Sequence, residues 1–85
     1  MIRIAVSGGF DPLHVGHIDY IRGAYHEAQK LHPEEEIDLT VMLNTDEWLC
    51  RKKGKAFMSQ DDRGKIISAL VWVNQVIIAW DKERS

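Results

Sequence analysis

Eighty-five residues, 45% hydrophobic and 28% charged, have the composition of one small globular domain spanning residues 1–85. Eleven basic against thirteen acidic residues leave a net charge of −2, which removes any overall electrostatic case for binding nucleic acid. The single cysteine, Cys50, excludes an internal disulfide and a cysteine-based metal cluster. It suits a reducing compartment, so the chain is expected in the cytoplasm.

The run Met1–Val6 is too short for the apolar region of a signal peptide. The most apolar stretch, Ala69–Trp80, is interrupted by Asn74 and Gln75 and falls far short of the ~20 residues that span a bilayer. No membrane partner is expected.

Ile2, Ile4 and Val6 alternate with smaller or polar residues and predict a buried strand over 2–7, stopped by Gly8 and Gly9. From Val15 onward Ile18, Ile21, Ala24, Tyr25 and Ala28 recur at helical spacing, and Pro33 closes that helix. Glu34–Glu36 reads as a solvated turn. Ile37, Leu39, Val41 and Leu43 have the period of a second strand. Asn44–Met58 reads as mostly loop, with a helical turn at Asp46–Cys50 and four basic residues, Arg51, Lys52, Lys53 and Lys55. Ser59-Gln60-Asp61-Asp62 resembles a capping box that opens a helix with Ile66, Ile67, Leu70 and Val71 inward. Val76–Ile78, within Gln75–Trp80, is a third strand, and Asp81–Ser85 forms a polar end.

The order β-α-β-α-β implies an α/β fold with a Rossmann-like parallel sheet, one half of a doubly wound arrangement. In the usual strand order this leaves Ile2–Val6 as an open apolar edge, which a symmetric homodimer would cover.

The densest chemistry lies in Ser7-Gly8-Gly9-Phe10-Asp11-Pro12-Leu13-His14-Val15-Gly16-His17, between the first strand and the first helix. Glycines after a strand let backbone approach an anion, and the helix that follows aims its first N–H groups at the same place. His14 and His17 project to a common side and can donate hydrogen bonds to phosphate oxygens, where developing charge favours their protonated forms. A metal is the weaker reading, because zinc takes three or four protein ligands and Asp11 is the only local third candidate. No metal site is assigned.

Residues 8–17, with their His-x-Gly-His core, resemble the signature loop of the cytidylyltransferase-like nucleotidyltransferases. Asn44–Leu49, the basic segment Arg51–Lys55, and Asp62-Arg63 with its helix and strand are similar to the glycerol-3-phosphate cytidylyltransferase and heptose-1-phosphate adenylyltransferase branch. The resemblance implies an enzyme that transfers CMP or AMP from CTP or ATP, with Mg²⁺, to a phosphorylated small molecule, releasing pyrophosphate. A sugar phosphate or glycerol phosphate is the acceptor it favours. It implies catalytic roles for His14, His17 and Lys53, and nucleotide binding by Gly8, Gly9, Phe10, Asp11, Gly16, Lys52 and Arg63.

Two departures accompany it. Gly9 stands where many members carry Thr or Ser, and the family's later glycine-aspartate and serine/threonine-rich segments are absent from these 85 residues. The alternative from another class is a catalytically inactive nucleotide-binding or assembly module.

Overall fold

The computed structural model describes residues 1–11 and 13–80. Pro12 and the expected polar end Asp81–Ser85 lie outside the described residues. Strands β1 (Ile2–Gly8), β2 (Ile37–Asn44) and β3 (Gln75–Trp80) form a parallel sheet in the order β1-β2-β3. Helix α1 (Val15–Leu31) connects the first two strands, and α2 (Asp46–Lys53) and α3 (Gln60–Ser68) connect the last two. This is the expected architecture, with β1 at an edge of the described sheet.

The register explains the core. Ile2, Ile4 and Val6 stand beside Ile37, Leu39 and Val41, while Val76 and Ile78 stand beside Val41 and Leu43. These residues therefore share one face of the pleat. Ile21 of α1 and Ile67 of α3, both fully buried, pack into the same cluster as Leu39, Val41 and Leu43. Both helices thus lie over one face. On the other face Arg3, Ala5 and Ile77 are exposed. Asn74, which interrupts the apolar run, begins the β2–β3 pairing. Its side chain accepts from the Leu39 N–H at 3.0 Å, and its own N–H donates to the Leu39 carbonyl at 2.9 Å.

Three boundaries differ from the sequence expectation. β1 continues through Gly8, which pairs with Leu43, so Gly8 belongs to the strand and does not stop it. Asp46–Lys53 is a full helix in place of a single turn within a loop. Its ends are well supplied: Thr45 accepts from the Trp48 N–H at 3.1 Å, acids occupy the first turn and bases the last. Gly54 closes it in the left-handed region at φ 88°. The third difference is at α3, which ends at Ser68, so Leu70 and Val71 lie outside it. Val71 is 85% exposed and Ile66 43%, so neither points inward as the periodicity suggested. The Ser59 cap is present, accepting from the Asp62 N–H at 3.2 Å.

Leu39 is fully buried at the centre of the middle strand. Leu39→Ala should cost about 2–5 kcal/mol from lost contact and a residual cavity. In urea titration this is a lowered midpoint with an unchanged slope.

Candidate active site: a histidine loop at the strand ends

The loop between β1 and α1 lies at the carboxyl end of β1, where ligands of open α/β sheets bind. Its conformation begins with Phe10, which adopts a positive φ of 51°, uncommon for a residue with a side chain. Burial of the ring offsets that strain. Phe10 is 5% exposed and its ring meets the edge of His17 at 5.1 Å between centroids, with Tyr20 at 6.5 Å. A Cβ on Gly8 would stand 3.3 Å from the same ring.

α1 opens on a capping box made entirely by the two histidines. Nδ1 of His14 accepts from the Gly16 N–H at 3.0 Å, and Nδ1 of His17 accepts from the His14 N–H at 3.3 Å. Boxes usually use Ser or Thr with Glu or Gln. Gly16 is required by this arrangement, because a Cβ there would come within 2.8 Å of the His14 ring. The rings lie 4.0 Å apart with a tilt of 32°. The box also sets the tautomer: a neutral ring whose Nδ1 accepts carries its proton on Nε2. His17 is held below the usual imidazole range, first by burial and then by the charge of His14. At neutral pH the ring is therefore neutral and an Nε2–H donor.

Asp11 faces inward. Its side chain is fully buried, with Oδ2 accepting from the Phe57 N–H at 2.7 Å and Oδ1 from the Met58 N–H at 2.6 Å. Lys53 donates to the Asp11 carbonyl at 2.5 Å and lies 3.2 Å from Oδ2. Burial alone would raise the Asp11 pKa, but these amide bonds and the ammonium outweigh it and hold the carboxyl below its ordinary value.

Arg63, also fully buried, gathers the ends of four segments. Its Nη1 donates to the carbonyls of Gly9 and Asn44 at 2.8 Å each. Nη2 reaches Asp46 Oδ1 at 2.8 Å and Nε the Met58 carbonyl at 3.1 Å. These four bonds make Arg63 the tie that holds the loops together.

The structure thus brings Gly8, Phe10, Gly16, His14 and His17 into one cluster, ties Lys53 to Asp11, and sets Gly9 against Arg63. Lys52 lies over the Trp48 ring, 5.8 Å from its centroid. Gly9 leaves room for Leu49, since a Cβ there would stand 2.9 Å from Leu49 Cδ2. A Thr or Ser there would require the Leu49 side chain to shift. Sequence reasoning missed Asn44, Asp46 and Met58 as anchors of the loop. The available hint for Asn44 was a polar Asn directly after the alternating apolar run that ends at Leu43; it is buried to 1% exposure. Nothing local marks Met58.

Among the described residues no three His, Cys, Asp or Glu side chains gather to hold a metal, and no helix is long and apolar enough to cross a membrane. A cleft of about 590 Å³ lies at the opposite, amino end of the strands, lined by Met1, Tyr25, Glu35, Asp38 and Asn74. Its polar groups are open to solvent, and the histidine loop remains the candidate site on chemistry.

Paired imidazoles, a tight backbone turn and a basic segment thus stand together near the carboxyl ends of the parallel strands of an α/β domain. Residues 5–84 match the family described as cytidylyltransferase-like, and the chain belongs to that family. It is 29% identical over 79 residues to the ethanolamine-phosphate cytidylyltransferase of Mus musculus, covering 93% of this chain and 18% of that protein. It is 33% identical over 78 residues to the FAD synthase of Pyrococcus abyssi, covering 91% and 47%. The fold resembles that of the lipopolysaccharide core biosynthesis protein from Thermoplasma volcanium GSS1. That match has a TM-score of 0.74 at 29% identity, over 99% of this chain and 64% of that one. The chain therefore spans about half or less of the length of these two curated relatives.

Two outcomes check the site. Arg63→Leu removes the donor to the buried Asn44 carbonyl, to the partly buried Gly9 and Met58 carbonyls and to Asp46, and should cost about 1–3 kcal/mol in urea denaturation, a large share of a small domain's stability. Because His17 binds its proton less readily folded than unfolded, stability is complete above about pH 6.5 and falls as pH drops through that value toward the folded pKa. Melts from pH 8 to 5 should show this decline, and His17→Gln should shrink it.

Proposed function

We propose that the chain forms the phosphate-handling part of a nucleotidyltransferase that moves CMP or AMP from CTP or ATP to a phosphorylated small molecule. An oxygen of the acceptor phosphate attacks the α-phosphorus. The bond from the α-phosphorus to its bridging oxygen breaks as the new one forms, and pyrophosphate leaves with the electron pair. No protein nucleophile is needed, so the residues contribute position and charge.

The observation that carries this reading is the histidine capping box. It leaves the Nε2–H of His14 and of His17 without a protein partner among the described residues, on two rings held rigidly at a helix start. Two such donors suit the α-phosphate and the departing pyrophosphate, where negative charge grows. Backbone at Gly8, Gly9 and Phe10, with Gly16, forms the close approach, and Lys52 and Lys53 supply positive charge. Mg²⁺ enters with the triphosphate. Both oxygens of Asp11, the one carboxylate in the loop, are already engaged, so the loop offers no ligand for the ion and no step is assigned to it.

The relatives act on ethanolamine phosphate in one case and make FAD in the other, which supports a small phosphorylated acceptor without choosing one. The open outer edge of β1 favours a second reading, a nucleotide-binding or assembly module that pairs through that strand. Light scattering showing a monomer at low micromolar concentration would remove the pairing.

CTP or ATP with Mg²⁺ should raise the melting temperature, by about 2.7 kcal/mol of stability at one hundred times Kd. His17→Ala should reduce pyrophosphate release by at least about 10²-fold. Release at the wild-type rate would overturn the mechanism.

A further inference from the structure

We infer that Asp11 is a positioning residue that docks the basic segment 53–58 onto the histidine loop and thereby sets Lys53 and Lys55 beside the phosphate site. This rests on the nucleotidyl-transfer reading for the identity of the phosphate, but the docking itself rests on geometry alone.

The segment after α2 has no helix or strand to hold it until Gln60. Its position is set by a few long-range bonds, and Asp11 makes most of them. The two carboxylate oxygens take the N–H groups of Phe57 and Met58, while the Lys53 ammonium sits on the Asp11 carbonyl and Oδ2. Met58 is secured further by Arg63 on its carbonyl and by the Leu13 N–H on its sulfur at 3.5 Å. A carboxylate accepting two amide hydrogens and facing an ammonium is charge-assisted on every bond. With no exposed side-chain surface, Asp11 would have to break these bonds before it could touch a ligand.

The docking has an electrostatic result. Phe57 is 59% exposed, and the ammonium groups of Lys53 and Lys55 stand 5.0 and 4.7 Å from its ring centroid. Two cations are thereby gathered at residue 57, which is bonded directly to the loop that carries His14. Freed from Asp11, the segment would let those charges disperse into solvent, where salt screens them. Asp11 acts on an incoming phosphate through the lysines.

The test uses the full chain, with inorganic tripolyphosphate as probe and amide hydrogen exchange as a readout independent of turnover. In the wild type, Phe57 and Met58 should be protected, unlike Lys55. Asp11→Asn keeps the size but offers only one acceptor. It should speed exchange at Phe57 and Met58 at least about tenfold, while Leu39 and Val41 stay protected, and should weaken tripolyphosphate binding about tenfold. Lys53→Ala should weaken that binding with the two amides still protected. The double variant should bind no more weakly than the worse single, because the two act through one contact. Unprotected wild-type amides, unchanged exchange in Asp11→Asn or additive losses would each overturn the proposal. The first of these needs no variant to fold. Loosened amides and weakened anion binding in a chain that releases no pyrophosphate from CTP or ATP would instead overturn the transfer reading and leave the docking standing.

Discussion

The site depends on one buried cation. The Arg63 guanidinium, with no exposed surface, joins the end of β1 at Gly9, the end of β2 at Asn44, the start of α2 at Asp46 and the turn at Met58. A buried guanidinium is costly unless its donors are met, and here bonds of 2.8–3.1 Å engage four of its five N–H groups. Only a planar fork of five donors can reach carbonyls on three sides at once, which a lysine in the same place could not. The geometry of the histidine loop is therefore set from within, by a fully buried residue.

Above that support, the loop uses its functional residues as structure. The histidines cap the helix with Nδ1 and leave Nε2 for chemistry, so a single hydrogen-bond pattern fixes ring orientation and tautomer together. Phe10 accepts an uncommon backbone conformation because its ring is buried against Gly8 and His17. Asp11 ties the basic segment to the same turn. Strain, cap and charge are concentrated in the few residues between the last pair of β1 and the first turn of α1.

Much of this was legible in the sequence. Alternation in 2–7 and 37–43 and the helical recurrence from Ile18 to Ala28 lead directly to β1, β2 and α1. The histidine pair and glycines mark the site. α2 was harder to see, because an eight-residue helix with one buried apolar residue, Leu49, carries little periodicity; its signals were Thr45, the charge gradient and Gly54. Ile66 and Val71 misled because α3 is short and only Ile67 reaches the sheet core. The role of Arg63 was not readable at all, since its partners lie 5 to 54 residues away.

By itself the sequence determined the element order, the parallel sheet, the apolar face of each strand and the place of the histidine loop. Those follow from local periodicity and from the conformational limits of glycine and proline. Tertiary structure alone decided what Asp11 and Arg63 do. A carboxylate can serve a cation or backbone amides and a guanidinium a phosphate or backbone carbonyls, and only the tertiary structure supplies the amides around Asp11 and the carbonyls around Arg63. The same holds for His14 and His17: their spacing announces a site, but the proton on each ring is assigned by the backbone N–H that its other nitrogen accepts.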